Sequence, residues 1–117
     1  MNRKISLYIR DILKNMVDAE EFIQGMSMEQ FENDKKTLYA MLWSIEVIGE
    51  AAKHVPHKIR ELHPNVPWKE MAGMRDKLIH DYIGVDAETV WLVVKDRIPA
   101  IRPLIEQILQ EVERQEK

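Results

Sequence analysis

Leu38-Tyr39-Ala40-Met41-Leu42-Trp43-Ser44-Ile45-Glu46-Val47-Ile48-Gly49-Glu50-Ala51-Ala52 carries no proline and is apolar on two sides of a helical wheel. Leu38, Met41, Leu42, Ile45, Ile48 and Ala52 recur at three and four residues and make one stripe. Tyr39, Trp43 and Val47 make a second. The spacing predicts a helix from about residue 34 to about residue 54. A helix apolar on two sides has two things to pack against. One is the core of a bundle. The other is either more of the same chain or a second copy of it. Gly49, Ala51 and Ala52 are small enough for a close helix crossing.

Upstream, Leu7, Ile9, Ile12, Leu13, Met16 and Val17 alternate with Asp11, Lys14, Asn15 and Asp18 at helical period. This predicts an amphipathic helix to about residue 24, stopped by Gly25. Residues 27–33 read as a connector or a ragged first turn, with Ser27 and Gln30 spaced for a capping box. Downstream, Pro56 ends or restarts the central helix. Residues 58–63 suit a short helix, and Pro64-Asn65-Val66-Pro67 a turn. A further helix is expected from residue 68 to 82 or 83, with Gly84 as its stop. Asp86 suits the N-cap of the next helix, whose apolar side is Val90, Trp91, Val93, Val94 and Ile98. Pro99 and Pro103 are expected to break or kink the chain before a last helix striped with Leu104, Ile105, Ile108, Leu109 and Val112. Residues 112–117 are polar and expected to fray. No strand pattern is present. The expectation is an all-α, four- to five-helix up-and-down bundle, with residues 1–117 forming a single domain.

Composition narrows the function classes. With 117 residues, 45% of them hydrophobic and 32% charged, the chain suits one ordinary globular core. The absence of cysteine excludes disulfides, thiolate nucleophiles and thiolate metal sites. No apolar signal core opens the sequence, and no run is long enough to span a membrane, so a cytoplasmic protein with no membrane partner is expected. The net charge is −3, whereas proteins that bind nucleic acid by bulk charge are usually basic. Any contact with RNA therefore rests on a local basic patch or on a partner.

Gly73-Met74-Arg75-Asp76-Lys77-Leu78-Ile79-His80-Asp81-Tyr82 places an arginine, a histidine and a tyrosine close together on one expected helix. Histidine exchanges protons near neutral pH, and arginine offers phosphate a planar fork of donors. The bland alternative is a salt-bridge member, a helix-capping side chain and a packing tyrosine. On an ideal helix Arg75 and His80 lie about 140° apart, while Arg75 and Tyr82 are offset by only about 20°. One straight helix therefore does not bring Arg75 and His80 onto one face. Either the helix distorts or a second chain completes the site. His54, His57 and His63 suggest a metal site only weakly, because Pro56 interrupts their spacing and no acidic cluster supports them. No metal or cofactor is expected.

Three ordered blocks resemble a known family. They are Ile48-Gly49-Glu50-Ala51-Ala52-Lys53-His54, then Val66-Pro67-Trp68-Lys69-Glu70, then Gly73-Met74-Arg75 leading into the arginine, four residues, histidine, one residue, tyrosine motif. Together they resemble the HepT-like toxins of the HEPN superfamily, over about residues 5–110. The resemblance implies a HEPN-like bundle, a symmetric homodimer whose two motifs line one groove, and a metal-independent endoribonuclease of a toxin–antitoxin system. Arg75 and His80 would be its catalytic pair. Asp76, Lys77 and Tyr82 would support the RNA groove. Tyr82 would also accept AMP from a cognate nucleotidyltransferase antitoxin, which silences the toxin. Asp76 departs from the asparagine common in the family. It can orient His80 or Arg75, but it also brings negative charge towards a phosphate, which Lys77 offsets. The resemblance leaves a second reading open, since some HEPN domains are inactive helical modules for dimerisation or for binding a nucleotide or partner.

Overall fold

The computed structural model describes residues 3–79 and 86–117, with the side chains of all of these except 75–79. Helix α1 spans Ile5–Phe22, and Gly25, at φ +78°, turns the chain after it. Only a residue without a Cβ adopts that left-handed conformation without strain. Residues 27–33, expected as a connector, contain a short helix α2, Met28–Glu32. Ser27 accepts from the Gln30 N–H while the Gln30 side chain accepts from the Ser27 N–H, so the capping box forms. Helix α3 is Lys35–Lys53. Its N-cap Asp34 accepts from the N–H and hydroxyl of Thr37, at 3.0 and 2.7 Å. These bonds, the hydroxyl's foremost, hold the Asp34 carboxylate below its ordinary pKa.

Pro56 precedes α4, His57–Leu62, and Pro67 precedes α5, Trp68–Ile79. Arg60 reaches back from α4 to the carbonyls of Ala52 and Val55, at 2.6 and 3.0 Å. It thus satisfies acceptors that the end of α3 leaves open. The Trp68 indole N–H donates to the His63 carbonyl at 3.0 Å, which ties the Pro64–Pro67 turn to the start of α5. The expected continuation of this helix to residue 82 or 83, and its stop at Gly84, lie outside the described residues.

Asp86 caps α6, Ala87–Leu92, as its sequence position predicts. Of the break or kink expected at Pro99 and Pro103, the break does not occur. Helix α6 runs through a π-helical turn, Val93–Arg97, straight into α7, Ile98–Gln115. Within that turn the Ile98 N–H bonds to the Val93 carbonyl, five residues back. The wider turn absorbs the register disturbed by Pro99, which has no N–H to donate. It also keeps Val94, Ile98, Ile101, Ile105, Ile108 and Val112 buried on one side.

Residues 112–117 do not fray either. Glu116 accepts from the Ser6 N–H at 3.2 Å, and Glu113 pairs with Arg10. A carboxylate at the exposed N–H groups of α1 is stabilised by the helix dipole. Hydrogen bonding to Ser6, its hydroxyl first, holds Glu116 below the ordinary carboxylate pKa.

The same contacts set the topology. The start of α1 lies beside the end of α7, and Glu20 near its other end meets Arg102 near the start of α7. Tyr8 stacks on His54, so the start of α1 also lies beside the end of α3. Helix α1 is therefore antiparallel to both neighbours, as short connections favour. Helix α3 is central, with α1 and α5 packed against it, and α2 sits over α3 and α6. The core joins Ile9, Ile12 and Met16 of α1 to Met41, Ile45 and Ile48 of α3, Met71 of α5 and Val90 of α6. Phe31 of α2, fully buried, closes it against Trp91 at a ring distance of 5.5 Å. All regular structure among the described residues is helical. No helix among them is long and apolar enough to cross a membrane.

Candidate functional site

Helix α5 carries the arginine of the motif. Its backbone is helical through Ile79, so Arg75, Asp76 and Lys77 occupy its second half. Arg75 follows buried Met71 by four residues and Trp68 by seven, and so shares their register. The side chains of Arg75, Asp76 and Lys77 lie outside the described residues, as do His80 and Tyr82 altogether. Two features beside Arg75 are described. Gly73 is exposed, and a Cβ built on it would meet nothing within 4 Å. A glycine in mid-helix costs about 1 kcal/mol against alanine, and internal packing does not explain it here. Glu70, in the first turn of α5, pairs with Arg97 of the π-helical turn and anchors α5 to the α6–α7 rod.

On the outward ridge of α3 the sequence's second stripe is in the open. Tyr39 is 60% and Trp43 68% exposed, while Met41, Ile45, Ile48 and Ala52 are buried. Beside the ridge a cleft of about 390 Å³ opens between α1 and α3. Its α1 wall is Tyr8, whose ring lies 4.9 Å from that of His54 at an angle of 12°. Arg3 stands over Tyr8, 4.9 Å from the ring centroid, and bonds Asp11 at 2.6 Å. That bond raises the Arg3 pKa further above its already high ordinary value. His54 Nε2 is 3.5 Å from Glu50, one helical turn earlier. Val47 and Ala51 form the apolar lining, and Glu46 stands on the α3 side. A second hollow along Tyr39, Leu42 and Trp43 continues the same face.

The cleft escaped sequence reading because Tyr8 and Asp11 look like polar-face residues of α1. Only packing brings them to His54. The histidines weighed as metal ligands are dispersed: His54 meets Glu50, His57 meets Glu61 at 2.9 Å, and His63 meets Glu111 at 3.2 Å. Among the described residues no three His, Asp or Glu side chains converge in a way that would hold a metal ion.

A central helix with α1 antiparallel to it and with α5, which carries the arginine of the motif, packed against it is consistent with a helical bundle of the HEPN type. More narrowly, the chain belongs to the HepT-like ribonuclease family, whose model matches residues 12–108. It is 48% identical over 111 residues to a Methanocaldococcus jannaschii protein named "Putative RNase MJ1216", covering 95% of this chain and 92% of that one. It is 44% identical over 108 residues to the "Probable ribonuclease HepT" of Thermococcus cleftensis, covering 92% and 98% respectively. No solved structure gives a significant match.

Proposed function

We propose that the chain is a metal-independent endoribonuclease, the toxin of a toxin–antitoxin pair, with Arg75 and His80 as its catalytic residues. The observation that carries this reading is the family match across residues 12–108, which spans the whole arginine–histidine–tyrosine motif. The names of the relatives point the same way.

The chemistry needs little beyond those two groups. The ribose 2′-hydroxyl of RNA attacks the adjacent phosphorus, its proton passing to a base, and the P–O5′ bond breaks as the 5′-oxygen takes up a proton. The products are a 2′,3′-cyclic phosphate and a 5′-hydroxyl. His80 moves protons at neutral pH. Arg75 donates to the phosphorane oxygens as negative charge builds on them. Lys77 adds positive charge, Asp76 orients the pair, and Tyr82 offers a stacking surface and a hydroxyl.

An ideal helix does not bring Arg75 and His80 onto one face, and α5 is regular to Ile79. A homodimer in which two motifs line one groove supplies the missing convergence and doubles the local positive charge of a chain whose net charge is −3. A nucleotidyltransferase partner that places AMP on Tyr82 would fill that groove and repel phosphate, which gives the toxin its off-state. The open space at Gly73 is consistent with close approach of a substrate backbone to α5.

The test is cleavage of a labelled RNA panel, including tRNA, in EDTA by wild-type protein, Arg75→Ala and His80→Ala. Cleavage to cyclic-phosphate ends by wild type, lost in both variants at unchanged helicity, is expected. Absence of cleavage by protein whose intact mass shows no adduct would replace this reading with that of an inactive binding module. Unfolding of either variant would make that residue structural.

A further inference from the structure

Trp43 belongs to two hollows of its own chain at once. It lines the α1/α3 cleft of about 390 Å³ and also the hollow of about 250 Å³ along Tyr39 and Leu42. It is itself 68% exposed. An open indole with recesses beside it is the shape of a stacking platform. We infer that the cleft is a subsite for a guanine base of single-stranded RNA, with Trp43 stacking on the ring and Glu50 reading its edge. The inference rests on the ribonuclease reading, from which it takes only that RNA reaches this surface.

The lining selects a base rather than a phosphate. Among the described residues, Asp11, Glu46 and Glu50 face one permanent cation, Arg3, which Asp11 holds at 2.6 Å. Carboxylates only accept hydrogen bonds, and they repel phosphate oxygens. They admit a neutral group that donates. The walls are flat: the Tyr8 and His54 rings stack at 4.9 Å and 12°, with Trp43 open beside them. A flat, uncharged ring with N–H donors on its edge is a nucleobase. Unstacked bases of single strands are held in this way, by aromatic side chains and by hydrogen bonds to their edges. A cleft of this volume lies at the lower end of the range for small-ligand sites.

Guanine fits best of the four bases. Its pairing edge carries two adjacent donors, N1–H and the N2 amino group, which match the two oxygens of one carboxylate. Adenine and cytosine each set an acceptor beside their donor, and uracil sets one on either side. Each of these turns a lone pair towards the carboxylate. Glu50 is the carboxylate placed to read the edge. Its side chain is 55% exposed and 3.5 Å from His54, whereas Asp11 is committed to Arg3. Glu50 follows Trp43 by seven residues, on nearly the same side of α3 and about 10 Å along its axis. A stacked purine and one glutamate side chain together span that gap. Helix α5, which carries Arg75, packs on the same α3, so one strand can reach both.

RNA with 2′-O-methyl groups lacks the attacking hydroxyl, so its binding is read apart from cleavage. The 2′-O-methyl tetranucleotide UUGU should bind roughly 10- to 100-fold more tightly than UUAU, UUCU or UUUU. It should also quench the fluorescence of Trp43. Inosine in place of guanine keeps N1–H but lacks the amino group, and its affinity should fall between. Trp43→Ala should weaken every tetranucleotide by roughly 5- to 100-fold, and Trp43→Phe should recover part of that loss. Glu50→Gln replaces one acceptor by a donor. It should abolish the preference for guanine while UUUU binds no more weakly than before. Both sites are exposed, so far-UV circular dichroism should not change.

Equal affinity for all four tetranucleotides would overturn the inference. So would a guanine preference that survives in Glu50→Gln, or an indole that no tetranucleotide quenches, which would leave this face to a protein partner. Cleavage of the RNA panel with no guanine preference in binding would remove this subsite and leave the ribonuclease reading standing. A guanine-specific complex of a chain that cleaves nothing would do the reverse.

Discussion

Replacing Gly73 by alanine should stabilise this protein, although Gly73 stands two residues before the arginine of the motif. Gly73 sits in the middle of α5, Trp68–Ile79, and its side of the helix is exposed. Glycine there is less favourable than alanine by about 0.8–1.0 kcal/mol, because more backbone freedom is lost on folding. The usual opposing cost is a clash of the new methyl group. Here a Cβ meets nothing within 4 Å, so that cost vanishes. The expected gain is therefore ~0.8 kcal/mol, or a rise in Tm of about 3–5 °C for a chain of this size. Urea unfolding followed by far-UV circular dichroism measures it, and the m-value should not change. In the same variant, RNA cleavage should fall. A methyl group would then stand where the proposed function brings a phosphate backbone towards Arg75, an exchange of stability for activity. Loss of stability in Gly73→Ala would refute the argument, since it would mean that α5 is not regular at this point or that the space is filled in solution. Greater stability with full activity would leave the fold argument standing and remove Gly73 from the substrate path.

Phe31→Ala should cost about 3–5 kcal/mol, because Phe31 is fully buried against Trp91; Leu62→Ala, at a site 63% exposed, should change stability by less than about 0.5 kcal/mol. Equilibrium denaturation of the two variants checks the contrast, and equal losses would contradict the core assignment. Acid should destabilise the fold through three carboxylates. Asp34, Asp86 and Glu116 are each held below their ordinary pKa, foremost by the side-chain hydroxyls of Thr37, Thr89 and Ser6 respectively. A depressed folded pKa contributes stability that is complete above the unfolded value, about 3.9 for Asp and 4.3 for Glu, and is lost as pH falls through the folded value. Tm should be level from pH 7 to about 5 and fall below about 4. The triple variant Asp34→Asn, Asp86→Asn, Glu116→Gln should fall less steeply, and an unaltered acid slope would assign the loss to other groups. Incubation with the nucleotidyltransferase partner of the proposed function and ATP should add the mass of AMP to the wild-type chain and not to Tyr82→Phe. An adduct that persists in the variant would remove Tyr82 as the acceptor.

Much of the helix map was legible in the sequence because its signals are local. Gly25, the Ser27/Gln30 box, Pro56, Pro67 and Asp86 each act within one turn of chain, and each does in the structure what its position predicts. Two local signals have less effect than their residue types suggest, for reasons that are not local. Prolines 99 and 103 do not break the rod, because a π-helical turn absorbs the disturbed register while the buried stripe continues from Val94 to Val112. The polar end does not fray, because Arg10 and Ser6, at the other end of the chain, lie against Glu113 and Glu116.

The sequence by itself determined that the protein is all-α, that its central helix is apolar on two sides, and that Arg75, His80 and Tyr82 follow a HepT-like motif. Periodicity and residue type carry that information, and both are properties of short stretches. Only the tertiary structure decided that the second stripe of α3 stays open, and that α1 brings Tyr8, Asp11 and Arg3 beside it to make a cleft. A helical wheel shows which residues share a face. What covers that face depends on contacts between segments far apart in the chain, and these exist only once α1 has packed antiparallel to α3.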